Sequence, residues 1–81
     1  MQVVWGERAI PELAAAPPNI QRAFIKQINY LIRDVRHPSL RAKKFDDRLN
    51  RWQVRINDDW RFYFTIIGDS YRIDSIIPLP K

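Results

Sequence analysis

The chain has no cysteine, one histidine (His37) and two glycines among its 81 residues. Without cysteine there is no disulfide and no thiolate metal site, and a single histidine excludes a His-rich one. No apolar run approaches the roughly 20 residues needed to cross a bilayer as a helix. The opening MQVVWGER lacks the basic start and long apolar stretch of a secretory signal. The sequence therefore reads as one soluble, cytoplasmic domain over residues 1–81, which must stabilise itself by a small apolar core alone. At 46% hydrophobic it has the material for one.

What is abundant is positive charge. The net charge is +5, and residues 33–61 hold nine of the fourteen Lys and Arg residues. A localised basic stretch is the electrostatic footprint of a nucleic-acid binder, and it attracts an acidic protein equally well. The bland alternative is a solvated surface that keeps the protein soluble.

The hydrophobic pattern divides the chain. QVVW (2–5) suits a short strand. GERAIPELAAA (6–16) suits a helix with Pro11 in its first turn. After Pro17-Pro18, residues 19–36 carry Ile20, Phe24, Ile28, Leu31 and Val35 on one stripe of a 3.6-residue period, widened by Ile25 and Ile32. His37-Pro38 is expected to end this helix, and His37 suits its last carbonyls. Residues 39–50 read as a basic loop with one helical turn. RWQVRI, WRFYFTII and YRIDSII then alternate with period two, as three antiparallel strands. The expected fold is α+β, a small two-layer domain of order β-α-α-β-β-β, with an antiparallel sheet on two N-terminal helices.

Register follows from the need to gather the apolar residues on one side. Trp52 then pairs with Phe64, Val54 with Phe62 and Ile56 with Trp60, around a three-residue loop Asn57-Asp58-Asp59 that ends in a left-handed residue. On the other face Gln53 meets Tyr63, and Arg55 meets Arg61. Like charges placed directly across a sheet are unfavourable, whereas two guanidiniums around one anion form a clamp. A type II′ turn at Gly68-Asp69 continues the pattern, setting Phe62 against Ser75 and Tyr63 against Asp74, with Asp74 diagonal to Arg61.

The order of elements, together with W-x-x-R-x-x-x-x-W-R-x-x-F over Trp52–Phe64, resembles the RelE/ParE superfamily of bacterial toxins from toxin–antitoxin systems. The resemblance runs the length of the chain and is carried mostly by residues 37–78. It implies a ribosome-dependent mRNA endonuclease in which the RNA 2′-hydroxyl attacks the adjacent phosphate, with no cofactor and no metal. Arg61 would hold that phosphate and Arg55 would share the task. Lys43 and Lys44 would contact the RNA backbone, with Arg41, Gln53 and Tyr63 completing the RNA surface. A small acidic or amphipathic antitoxin would be the protein partner, and mRNA on the ribosome the target.

The chain departs from the family pattern at its end. Relatives often close with a form like I-x-P-H-P-K, and here Leu79 stands where that His would be. Leucine moves no proton. Asp74, Asp46 or Lys81 could act instead; the protein could bind without cutting well; or Leu79 could be a disarming substitution. A ParE-like toxin that poisons DNA gyrase by binding is the alternative, and a plain RNA-binding module a third.

Overall fold

The computed structural model describes residues 1–80. Strand β1 (Gln2–Trp5) leads into helices α1 (Ala9–Ala15) and α2 (Pro18–Arg33), then a single 3₁₀ turn (Pro38–Leu40). Four strands follow: β2 (Lys43–Asp46), β3 (Arg51–Arg55), β4 (Trp60–Ile67) and β5 (Ser70–Pro78). They form one five-stranded sheet in the order β1-β5-β4-β3-β2. The α+β class and the two helices on the sheet are as expected. The sheet is mixed, because β1 runs parallel to β5. It also has a strand more than the pattern suggested, because Lys43–Asp46 pairs antiparallel with β3. Its four residues are mostly charged and exposed, a usual composition for a protected edge and the reason it reads as a loop. No helix among the described residues is long and apolar enough to cross a membrane.

Pro18 occupies the first turn of α2, where a missing N–H costs nothing. The helix buries Ile20, Phe24, Gln27, Ile28 and Leu31. It ends at Arg33, earlier than His37-Pro38 would require, with Asp34 in an extended conformation. Val35 therefore packs on the core from outside the helix, and Ile25 and Ile32 are exposed rather than part of the buried stripe. His37 does not hold the carbonyls of α2. It caps the 3₁₀ turn, its Nδ1 accepting from Ser39 N at 3.2 Å, while its ring stacks on Tyr30 with 3.8 Å between centroids.

The core lies between the helices and the inner sheet face. Phe24 meets Phe62 edge-on at 5.0 Å, and Phe64 meets Tyr71 edge-on at 5.1 Å. Val54, Phe62, Phe64, Ile73 and Ile76 are fully buried beside them. Each such side chain contributes about 1.5–3 kcal/mol by its burial.

The β3–β4 register matches the expectation, with Trp52 opposite Phe64, Val54 opposite Phe62, Gln53 opposite Tyr63 and Arg55 opposite Arg61. Its loop is built differently, since none of residues 57–59 is left-handed. Asn57 Oδ1 instead accepts from the N–H groups of Asp59 and Trp60, each at 2.9 Å, a side-chain turn that Asn forms readily. The β4–β5 hairpin keeps the expected pairs near its turn, where Gly68 has φ of 58°. It then shifts by one residue, so that Tyr63 faces Ser75, Phe62 faces Ile76 and Arg61 faces Ile77. Strict alternation would bury Ser75. The bulge at Asp74 buries Ile76 in its place.

Candidate anion-binding site

Alternation on β3 and β4 directs Gln53, Arg55, Arg61 and Tyr63 to the face away from the helices. Ile56 N donates to Trp60 O at 3.0 Å, which makes Arg55–Arg61, one step along, a non-hydrogen-bonded pair. In such pairs the Cα atoms approach to about 4.5 Å and the side chains are closest. The two guanidiniums thus leave the sheet from adjoining points. β2 adds Lys43 opposite Gln53, and Arg41 stands just before it. Arg41, Lys43, Gln53, Arg55 and Arg61 together line a pocket of about 150 Å³. Four of the five are cations, and no carboxylate among the described residues lines the wall.

Each arginine is held by the hairpin that carries it. Arg55 Nη2 is paired with the carboxylate of Asp58. Arg61 Nη1 donates to the carbonyls of Asn57 and Trp60, the latter at 2.9 Å. These contacts use one terminal nitrogen of each guanidinium. The Nε and Nη2 hydrogens of Arg61 make no hydrogen bond among the described residues, and neither do the Nε and Nη1 hydrogens of Arg55. The free Nε and Nη2 of Arg61 share one edge of its guanidinium and present a fork, the geometry that meets two oxygens of a phosphate, whereas the free Nε and Nη1 hydrogens of Arg55 point to different edges and offer single contacts.

Gln27 is the positioning residue the sequence reading missed. It is 6% exposed, and its Nε2 donates to Arg55 O at 2.6 Å and Ser39 O at 2.8 Å. It ties α2 to the end of β3 and to the 3₁₀ turn that precedes Arg41. Its place on the buried stripe, three residues after Phe24, was the available signal: a polar residue there must find partners inside.

The other expected residues are distributed differently. Lys44 is next to Lys43 in a strand and so takes the opposite face; it pairs across from Trp52, with Nζ 5.9 Å from that ring, and bridges to Asp47 at 3.6 Å. Tyr63 lines a neighbouring pocket and accepts from Gln53 Nε2 at 3.0 Å. Asp74 does not neutralise Arg61. The bulge turns it to Arg72 at 2.8 Å and Arg51 at 3.4 Å, and Thr65 Oγ1 donates to it at 2.6 Å. Asp46 is occupied by the N–H groups of Arg48 and Leu49, each at 3.1 Å. Neither acid lines the pocket. Leu79 is half-buried, its N–H donating to Asp59 O at 2.7 Å, which extends the β4–β5 ladder towards the Asn57–Asp59 loop. Lys81 lies outside the described residues.

Arg41 has a left-handed backbone, with φ of 45° and ψ of 44°, at the end of the 3₁₀ turn. That conformation costs an L-residue about 1–2 kcal/mol, yet it delivers the side chain to the pocket wall.

No family model matches the chain, and no curated protein matches it. Solved structures do. A YoeB/ParE toxin from Agrobacterium tumefaciens superposes with a TM-score of 0.82 at 13% identity, covering 99% of this chain and all of the other. A chain of the archaeal RelE–RelB complex from Pyrococcus horikoshii gives 0.79 at 16% identity, covering 95% and 92%. A chain of the intact E. coli RelBE toxin–antitoxin complex gives 0.78 at 12% identity, covering 99% and 98%. At such identities the likeness is one of architecture: the chain has the fold of the RelE/ParE-type toxins.

Proposed function

We propose that the chain is the toxin of a toxin–antitoxin pair and a metal-independent endonuclease of ribosome-bound mRNA in the cytoplasm. The observation that carries this reading is the pocket around the opposed pair Arg55 and Arg61, with Arg41 and Lys43 beside them. A phosphodiester seated between the two guanidiniums places its non-bridging oxygens against the free N–H groups. Attack of the 2′-oxygen on phosphorus forms the 2′,3′-cyclic phosphate and breaks the bond to O5′, which leaves as the 5′-hydroxyl after taking up a proton. Negative charge grows on the non-bridging oxygens in the transition state, and the arginines are aimed there. Removing one such donor lowers the rate by about 10²–10³-fold.

The proton of the 2′-hydroxyl must also leave. No histidine or carboxylate among the described residues lines the pocket, and Leu79 stands just after β5, where the family resemblance leads one to expect an acid–base group. A positioned acid–base group is worth about 10²–10⁴-fold, so the chain cuts slowly as it stands. The antitoxin would meet the cationic pocket with carboxylates, or add a strand at the exposed edge of β2. Solved complexes of the same architecture pair RelE with RelB.

The test is cleavage of a defined mRNA on translating ribosomes, mapped by primer extension. Cuts that strengthen in Leu79→His and vanish in Arg61→Ala support the ribonuclease. Leu79 itself favours a second reading, a ParE-like toxin that binds DNA gyrase without cutting RNA. No cuts from either form, together with inhibited supercoiling, would establish that reading and overturn the first.

A further inference from the structure

The open sheet face carries a second pocket, of about 470 Å³, lined by Arg8, Phe45, Arg51, Tyr63 and Asp74 among others. Pockets of about 300–1,000 Å³ are the size that small molecules occupy. Phe45 is 54% exposed and sits at the irregular point of β2, between Lys44 and Asp46. A large apolar side chain on an edge strand invites unwanted pairing, and nothing in the core needs it there. Its only aromatic neighbour on this face is Tyr63, which it meets edge-on at 5.3 Å. Two aromatic rings set edge to face leave ring surface open to a third flat group.

The walls suit a base rather than an apolar peptide. Asp74 is consumed by Arg51, Arg72 and Thr65, so it fixes the Arg51 guanidinium in the wall and has little charge left to repel an anion. Arg8 is exposed and has no ion-pair partner among the described residues. Guanidinium planes and aromatic rings are the two surfaces on which unpaired bases stack. The two pockets are also joined. Gln53 lines the cationic one and donates to the Tyr63 hydroxyl of the other. The pair Gln53–Tyr63 lies two residues along the strands from Arg55–Arg61, or about 7 Å, within the reach of one nucleotide from its phosphate to its base.

We infer that Phe45 and Tyr63 form a base-stacking subsite, which takes the nucleobase flanking a phosphate held by Arg55 and Arg61 in single-stranded RNA. This rests on the phosphate reading of the first pocket, and the test separates the two. The full chain is titrated at low salt with two 2′-O-methyl oligoribonucleotides of equal length, one with bases and one abasic, followed by fluorescence anisotropy. The base-bearing strand binds more tightly. Phe45→Ala weakens it about 5–150-fold, the range expected for losing one stacked base, and leaves the abasic strand unchanged. Phe45→Trp keeps the advantage, and Phe45→Leu, apolar but without a ring, loses it. An unchanged melting temperature in the three variants shows that the fold is intact, as expected for an exposed edge residue. Equal affinity for the two strands, or retention of the advantage by Phe45→Leu, overturns the inference. A base advantage that disappears in Phe45→Ala while Arg61→Ala changes nothing leaves the aromatic subsite standing and removes the phosphate site instead.

Discussion

Replacing Gln27 by Leu isolates the link between the helical layer and the candidate site. Leucine nearly matches glutamine in shape and suits the apolar side of α2, so the change removes hydrogen bonds with little loss of packing. The bonds run to Arg55 O at 2.6 Å and Ser39 O at 2.8 Å. Arg55 belongs to a non-hydrogen-bonded pair with Arg61, so its carbonyl turns away from β4, past the start of β2, and Gln27 is what meets it. A buried carbonyl left without a partner costs about 1–3 kcal/mol, and Arg55 O is the one at risk, since Ser39 is exposed and water can reach its carbonyl. The expected destabilisation is about 1–3 kcal/mol. For a domain of this size each kcal/mol lowers Tm by about 4–8 °C, so a fall on the order of 5–20 °C is expected. The control is Gln21→Leu. Gln21 Nε2 donates to the carbonyls of Leu13 and Ala16, both at 3.1 Å, but the residue is only half-buried. Water can replace its bonds, and the expected loss is under about 1 kcal/mol. Thermal denaturation followed by circular dichroism compares the two directly. If Gln21→Leu costs as much as Gln27→Leu, burial is not what gives the Gln27 bonds their weight and the reasoning fails.

Three further outcomes are expected. Burial, with a smaller contribution from the charge of Asp34, raises the Tyr71 phenol above its ordinary pKa of 10.0; the folded protein therefore holds that proton more tightly than the unfolded chain, and stability present below pH 10 is lost as pH rises through the folded-state value. Melting curves of Tyr71→Phe should flatten that alkaline decline, and an unchanged slope would contradict the assignment. Arg41→Gly relieves the left-handed backbone and should leave the protein about as stable or up to about 1 kcal/mol more stable, while an RNA-filter assay shows weaker binding; a loss of stability would mean that the Arg41 side chain anchors the turn. In Gly6→Ala a Cβ would lie 2.8 Å from Ile73 O, a backbone atom of β5, so β1 must shift, at about 1–3 kcal/mol by denaturant titration.

The β3–β4 hairpin was legible because two independent constraints agreed: alternation put Trp52, Val54, Phe62 and Phe64 on one face, and only one register brings those sets together. Arg55 opposite Arg61 followed from that alone. The β4–β5 hairpin defeated the same method. Ser75, Ile76 and Ile77 allow either of two frames, and the choice belongs to the core, which prefers Ile76 to Ser75. With that choice Asp74 leaves the ladder and joins Arg51 and Arg72. β2 was missed because an edge strand has no buried face to impose a pattern. For the same reason Lys43 and Lys44 looked equivalent, although adjacent strand residues must part to opposite faces. Phe45, two residues after Lys43, shares the open face with Tyr63 by that same alternation, which becomes readable only once residues 43–46 are known to be a strand.

How the hairpin holds Arg55 and Arg61 side by side is answered by its own loop. Two unit charges about 4 Å apart near a surface repel by about 4 kcal/mol, more than a small domain can spare. Asp58 offsets Arg55 from within the Asn57–Asp59 loop. The carbonyls of Asn57 and Trp60 offset Arg61 with partial charges that no anion displaces. The two solutions differ in consequence. Asp58 is 87% exposed in its side chain, so its hold on Arg55 is screened and would yield to an incoming anion. The hold on Arg61 is made by backbone carbonyls and persists, which keeps that guanidinium aimed at the pocket. Arg61 is therefore the fixed half of the clamp and Arg55 the exchangeable half. Asp58→Ala should then strengthen anion binding at low salt through a faster association, an effect that fades above about 0.15 M salt as the Debye length falls to about 8 Å, whereas no loop substitution of that kind exists that would release Arg61.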